Sequence, residues 1–238
     1  MKTLSKEIWI GIFQLKNWKA YELIWLGTFS AIAIALSFIW QDNLFGLTVT
    51  ITGILCVLLA AKGQILTYVF GTYNVIGYAI LSWSNGLFGE VGLNILFFLP
   101  MNIIGFIVWS KNTSNGIVKM RGLKVKQMLW IAVANIAIFA VLGWGLSFIP
   151  SQNTPYIDSI TTVLSITATL LMTWRFKEQW MVWIVLNVFT IIMWSYRLAN
   201  GSPDGLMMIV MWSAYLANSV YGYITWTKGV KENASKKG

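Results

Sequence analysis

The sequence predicts an all-α polytopic membrane protein with about eight transmembrane helices, arranged as two parallel three-helix repeats joined by a linking helix. Three observations predict it. First, 57% of the 238 residues are hydrophobic and only 11% charged, with a mean hydropathy of +0.68, which is too apolar for a soluble domain with a polar surface. Second, apolar runs long enough for a bilayer core of about 30 Å recur eight times. Third, Gly105-Phe106-Ile107-Val108-Trp109-Ser110-Lys111 at the end of the fourth run matches Gly222-Tyr223-Ile224-Thr225-Trp226-Thr227-Lys228 at the end of the eighth. Gly, Trp and Lys recur at identical spacing, with an aromatic after the glycine in both. A shift of 117 residues aligns these segments, and a shift of 113 pairs Lys62 with Arg175 and Asn74 with Asn187. The difference of four is the size of an ordinary loop insertion.

Residues 1–20 interleave Ile8, Trp9, Ile12 and Phe13 with Lys6, Gln14, Lys16 and Lys19. That pattern is too short and too charged to span, and it suits a helix lying in the headgroup region. An extra first span follows at 22–40. Spans at 44–61, 64–84 and 88–109 form the first repeat, 44–109, with a Ser84-Asn85-Gly86 turn between its last two members. The linking helix is read at 127–149. Spans at 157–175, 179–197 and 206–227 form the second repeat, 157–227, and 228–238 reads as a lysine-bearing disordered cytoplasmic tail. One span separates the triplets, so both copies point the same way through the bilayer. That is a parallel repeat, as in sugar-transporting SWEET proteins, rather than an inverted one.

Charge fixes the orientation. Eight spans put both termini and every even-numbered loop on one side, and that side collects sixteen of the 17 basic residues. Only Arg197, with Asp42, Asp158 and Asp204, falls on the other. By the positive-inside rule both termini are cytoplasmic, and the net charge of +9 reports topology rather than nucleic-acid binding. Cys56 is the only cysteine, so no internal disulfide forms. The absence of histidine excludes a His-ligated metal, a Ser-His-Asp triad and a histidine proton relay. Gly86-x2-Gly89-x2-Gly92 is not a phosphate loop, since no strand precedes it and no Gly-Lys-Ser/Thr follows. The residues call for no catalytic set, no metal and no cofactor, and an enzyme is not expected.

Polar residues inside spans are costly in hydrocarbon and mark cavities or pathways. In the seventh span Trp180, Trp183 and Asn187 fall at roughly 0°, 300° and 340° at about 100° per residue, one stripe that Trp194 continues. Two indole faces can clamp a flat cationic ring while the amide supplies a donor and an acceptor; packing, or an interfacial anchor at Trp180, is the competing reading. Similar stripes are Thr67, Gly71, Asn74 and Tyr78 in the third span, and Glu90, Asn94, Phe97 and Met101 in the fourth, where Pro100 can kink the helix. The eighth span carries Trp212, Tyr215, Ser219 and Gly222, with Asn218 at the edge. Gly71, Gly77, Gly105 and Gly222 read as close-packing positions. Asn74, Asn94, Asn187 and Asn218 sit beside aromatics and read as solute contacts, with interhelical hydrogen bonding as the alternative.

These patterns resemble the PnuC-type nicotinamide riboside transporters. The resemblance rests on Trp180-x2-Trp183-x3-Asn187, on Trp212-x2-Tyr215-x2-Asn218-x2-Tyr221, and on Gly86-x2-Gly89-Glu90-x3-Asn94 leading to Pro100-Met101, and it covers most of 40–228. It implies a SWEET-like fold, a homotrimer, and facilitated diffusion of the vitamin B3 precursor across the bacterial inner membrane, with cytoplasmic phosphorylation trapping the riboside for NAD biosynthesis. A flat pyridinium fits Trp180 and Trp183, and the ribose hydroxyls and carboxamide need the amides. The site expected from the residues and the resemblance together is Trp180, Trp183, Asn187, Trp212, Tyr215, Asn218, Asn74, Glu90 and Asn94. A carrier or channel for another small aromatic nucleoside or sugar-like solute is the alternative. The topology predicts that a cysteine placed at Ser114 is shielded from an impermeant thiol reagent in intact cells while one at Asn153 reacts; the reverse labelling contradicts it.

Overall fold

The computed structural model describes residues 18–39, 44–84, 88–114, 116–149, 155–200 and 205–235. The described residues form eight helices, α1 (Ala20–Ile39), α2 (Leu44–Lys62), α3 (Thr67–Ser84), α4, α5 (Val125–Leu146), α6 (Pro155–Thr173), α7 (Gln179–Ala199) and α8 (Gly205–Ser235). The fourth runs without a break through Phe88–Leu93, a π turn at Asn94–Phe98, and Leu99–Ser110. Six of the eight are long and apolar enough to cross a membrane; α3 and α8, dense in polar residues, fall outside that set. A two-residue hairpin, β1 (Thr113–Ser114) and β2 (Ile117–Val118), turns through Gly116 at φ 78°. The interfacial helix expected within 1–20 and the Ser84-Asn85-Gly86 turn fall largely outside the described residues.

The chain forms two compact units. The first comprises Met1–Met120, Thr173–Arg175 and Lys231–Gly238, the second Arg121–Met172 and Phe176–Val230.

In the first unit, α2 and α3 meet through polar residues that lock into backbone. The Thr67 hydroxyl donates to the Cys56 carbonyl at 2.8 Å, and Asn74 Nδ2 donates to the Val49 carbonyl at 2.8 Å. Gly53 lies beneath the Asn74 amide and Gly77 against Val49, so neither has room for a Cβ. Gly105 of α4 receives the Tyr68 ring, which meets Trp109 edge-on at 5.0 Å. The α2–α3 turn requires φ 69° at Gly63, a left-handed conformation that glycine adopts without strain. It is closed by Gln64 N–H donating to Leu59 O at 2.9 Å and capped by the hairpin, whose Val118 N–H donates to Gly63 O at 2.9 Å.

Where a kink is expected at Pro100, the helix departs from α geometry one turn earlier. Proline has no N–H and its ring crowds the carbonyl four residues back, so the helix widens over Asn94–Phe98 with Leu99 N–H bonding to Asn94 O.

Two expectations are corrected. Lys62, read as a loop cation, ends α2 and is 9% exposed; its ammonium pairs with the carboxylate of Glu22 on α1, itself 1% exposed, and lies 4.7 Å from the centroid of Trp18. The tail, read as disordered from 228, is helical through Ser235. Asn233 Nδ2 donates to Met120 O at 3.2 Å, which ties that end down. At 31 residues, α8 is about 46 Å long, well beyond a bilayer core of about 30 Å.

In the second unit α5 packs on α6: Ser159 donates to Phe139 O at 2.8 Å, Thr167 to Asn135 Oδ1 at 2.8 Å, and Tyr156 lies over Gly143. Phe176 N–H donates to Leu171 O at 2.8 Å, and the Arg121 guanidinium stacks 4.7 Å from the Phe176 ring.

Outward faces are apolar: Phe38 and Leu96 are each 80% exposed, as lipid-facing positions are. Against that apolar background the Glu22–Lys62 pair is the strongest polar tie on α1. Glu22→Ala leaves a buried ammonium without its carboxylate and is expected to cost about 3–5 kcal/mol, read as a lower melting temperature in detergent. Glu22→Leu combined with Lys62→Met should recover most of that loss; wild-type melting of Glu22→Ala contradicts the assignment.

Candidate functional site

The candidates divide between the units, Asn74, Glu90 and Asn94 in the first and Trp180, Trp183, Asn187, Trp212, Tyr215 and Asn218 in the second. In the first unit the amides serve the fold. Asn74 spends its donor on Val49 O. Asn94 is 5% exposed and donates to Glu90 O at 2.8 Å, closing the turn that precedes the π segment. Glu90 itself is exposed in the first turn of α4. The stripe of Thr67, Gly71 and Asn74 is therefore a helix–helix seam, with Gly71 against Asn102 and Cys56.

In the second unit α7 and α8 carry a connected polar line. Asn187 is 2% exposed, and its Nδ2 donates to Ser219 Oγ at 3.0 Å. The Ser219 hydroxyl in turn donates to the Tyr215 carbonyl at 2.8 Å, one turn back along α8. Tyr215 meets Trp212 edge-on at 5.6 Å. Asn218 is buried beside them, at 4% exposure. Both Trp212 and Tyr215 are half-buried, and Trp212 Nε1 is a buried donor with no hydrogen-bond partner among the described residues.

The two tryptophans of α7 part company. Trp180 is 3% exposed, stands edge-on to the fully buried Trp226 at 6.2 Å, and lies over Gly222, where a Cβ would sit 2.5 Å from the indole. It is a packing wedge between α7 and α8, so it does not share a slot with Trp183 as the stripe suggested. The two indoles are roughly 60° apart round the helix, enough for one to face α8 and the other to turn aside. Trp183 is half-buried, and among the described residues it has neither a ring partner nor a hydrogen bond. An indole offers the π surface that a flat cationic ring requires.

One polar residue of this region escaped the sequence reading. Gln179, the first residue of α7, is fully buried, and neither Oε1 nor Nε2 has a partner among the described residues. Its place at the end of a span makes it look like an interfacial amide in sequence. The signal lay in the helical period: Gln179, Trp183 and Asn187 recur every fourth residue and share a face.

Residues 43–228 match the family described as Nicotinamide mononucleotide transporter. The chain is 36% identical over 226 residues to the nicotinamide riboside transporter PnuC of Neisseria mucosa, covering 92% of this chain and 86% of that protein. It is 32% identical to the protein of the same name from Haemophilus influenzae, covering 91% and 94%. A crystal structure described as the vitamin B3 transporter PnuC superposes with a TM-score of 0.77 at 35% identity, covering 94% of this chain and 97% of that one. The chain therefore belongs to the nicotinamide mononucleotide transporter family.

Proposed function

We propose that the chain is a carrier for nicotinamide riboside, moving it by facilitated diffusion across the inner membrane, where intracellular phosphorylation keeps uptake running. The observation that carries this reading is the half-buried Trp183, one helical turn from the buried Asn187, whose amide bonds Ser219. An indole attracts a pyridinium through its quadrupole as well as by stacking, and more strongly where water is scarce. Relatives named nicotinamide riboside transporters support the same solute. The riboside is favoured over its phosphate on chemical grounds. A buried phosphate needs Arg or Lys partners, and neither 179–196 nor 205–227 contains a basic residue. Substrate contacts are assigned to Trp183, Trp212, Tyr215, Asn187 and Asn218. Trp180 is assigned to holding α7 on α8, and Asn74 and Asn94 to holding the helices of the first unit.

The same reading takes all eight helices as spans, with both termini cytoplasmic and the protein a homotrimer. The two triplets, α2–α4 and α6–α8, are read as a parallel repeat. Local geometry supports it: among the described residues the non-glycine residue with positive φ is Arg175, at 67°, which stands 112 positions after Gly63 at 69°. The hydrogen bonds closing the turns, Gln64 to Leu59 and Phe176 to Leu171, keep the same interval. In that frame Tyr68 corresponds to Trp180, each laid over a glycine, and Asn187 corresponds to Val75 rather than to Asn74.

Two measurements check the proposal. Trp183→Ala should weaken nicotinamide riboside binding by about 1–3 kcal/mol, or roughly fivefold to a hundredfold, without lowering the melting temperature, and Trp183→Phe should recover part of it. Unchanged affinity in a well-folded Trp183→Ala removes the residue from the site. In proteoliposomes, unlabelled riboside inside should drive counterflow of labelled riboside, and an imposed proton gradient should produce no accumulation. Accumulation driven by protons alone contradicts uncoupled transport.

A further inference from the structure

We propose that Gln179 reads the carboxamide of the transported nucleoside, an inference that rests on the riboside reading above. A primary amide buried without partners forfeits its hydration and gains nothing in return, so a protein keeps one where some other state supplies the missing bonds. Gln179 is 0% exposed, and both ends of its amide lack partners among the described residues.

The corresponding position in α3 is matched within the protein. Thr67 begins α3 four residues after Gly63, as Gln179 begins α7 four residues after Arg175. Thr67 is equally buried, yet its hydroxyl is satisfied by Cys56 O at 2.8 Å. Ala168, at the position of α6 that corresponds to Cys56, offers the same backbone carbonyl, yet Gln179 makes no equivalent bond.

Three other amides of the candidate set have each committed one donor to the protein. Asn187 gives its N–H to Ser219, Asn74 to Val49 and Asn94 to Glu90. Gln179 retains a complete donor and acceptor. It lies one turn from Trp183 on the same face, about 6 Å along the axis and about 40° round it. A pyridinium lying on Trp183 can direct its carboxamide toward the turn above, where Asn187 is engaged, or the turn below, where Gln179 is not. Two primary amides face to face exchange a pair of N–H···O bonds, each supplying what the other lacks. A carboxylate in the same place would set two acceptors against Oε1. The side chain is enclosed in this conformation, so the pair forms as the first turn of α7 opens to the solute.

The test compares two ligands on the purified full-length protein by calorimetry: nicotinamide riboside and the pyridinium riboside that lacks the carboxamide. Wild type should prefer the first by about tenfold or more. Gln179→Met, of similar length but unable to hydrogen-bond, should bring the ratio to about one and leave affinity for the second within about threefold; Gln179→Ala gives the same readout if the methionine variant does not fold. An unchanged ratio in a folded variant overturns the proposal and makes the amide a ligand for ordered water. Loss of folding in both variants overturns it as well, by assigning the amide to the core. A wild type that binds neither riboside fails differently, since it overturns the riboside reading itself along with this one.

Discussion

A polar group inside a helix bundle that meets hydrocarbon has no water to fall back on, and every such group in this chain has to be matched from within. Most are matched locally. Thr50 and Thr52 return their hydroxyls to carbonyls one turn back, as do Thr72, Thr190 and Ser195. Glu22 and Lys62 match each other. Asn74 matches Val49 across α2 and α3, and Asn187 matches Ser219 across α7 and α8. What is left over after this accounting is a short set of side-chain atoms, and Trp212 Nε1 and the Gln179 amide are among them. These two lie on α7 and α8, whose stretches 179–196 and 205–227 carry no cation, which suits an uncharged sugar and a cationic ring better than a phosphate.

Precision in that region comes from shape. In each unit a glycine accepts the face of an aromatic ring that also stands edge-on to a fully buried tryptophan: Gly105 with Tyr68 and Trp109, Gly222 with Trp180 and Trp226. Such a wedge brings two helix backbones close and fixes their rotation, because a Cβ has no room and the ring has nowhere else to go. Held this way, α7 keeps Asn187 turned toward α8. The heptapeptide match between 105–111 and 222–228 is thus two copies of one packing device.

The eight helices were legible because hydrophobic length is a strong signal: the expected 44–61 and 88–109 correspond to Leu44–Lys62 and to the run ending at Ser110. Ends were less legible where tertiary bonds set them. The third helix starts at Thr67 rather than 64 because Gly63 and the hairpin occupy its first turn, and α8 runs to Ser235 because Asn233 finds the Met120 carbonyl. In the site, helical period placed Trp183 and Asn187 on one side but gave no hint of which neighbour each would meet. Trp180 reads like a second clamp until Gly222 appears beneath it. Lys62 reads like a loop cation because nothing in its own neighbourhood names Glu22, forty residues away. Gln179 is invisible for the opposite reason, since an unmatched amide is defined by what fails to surround it.

The stripe on α7 and α8 is proposed to take a cationic aromatic nucleoside without a phosphate. Calorimetric titration of the purified wild-type protein with nicotinamide riboside, nicotinamide mononucleotide and an uncharged aromatic nucleoside tests it most directly. The account predicts that the riboside binds more tightly than either of the others, by about tenfold or more over the mononucleotide, whose phosphate would be desolvated without a cation to meet it. Equal or tighter binding of the mononucleotide would contradict it.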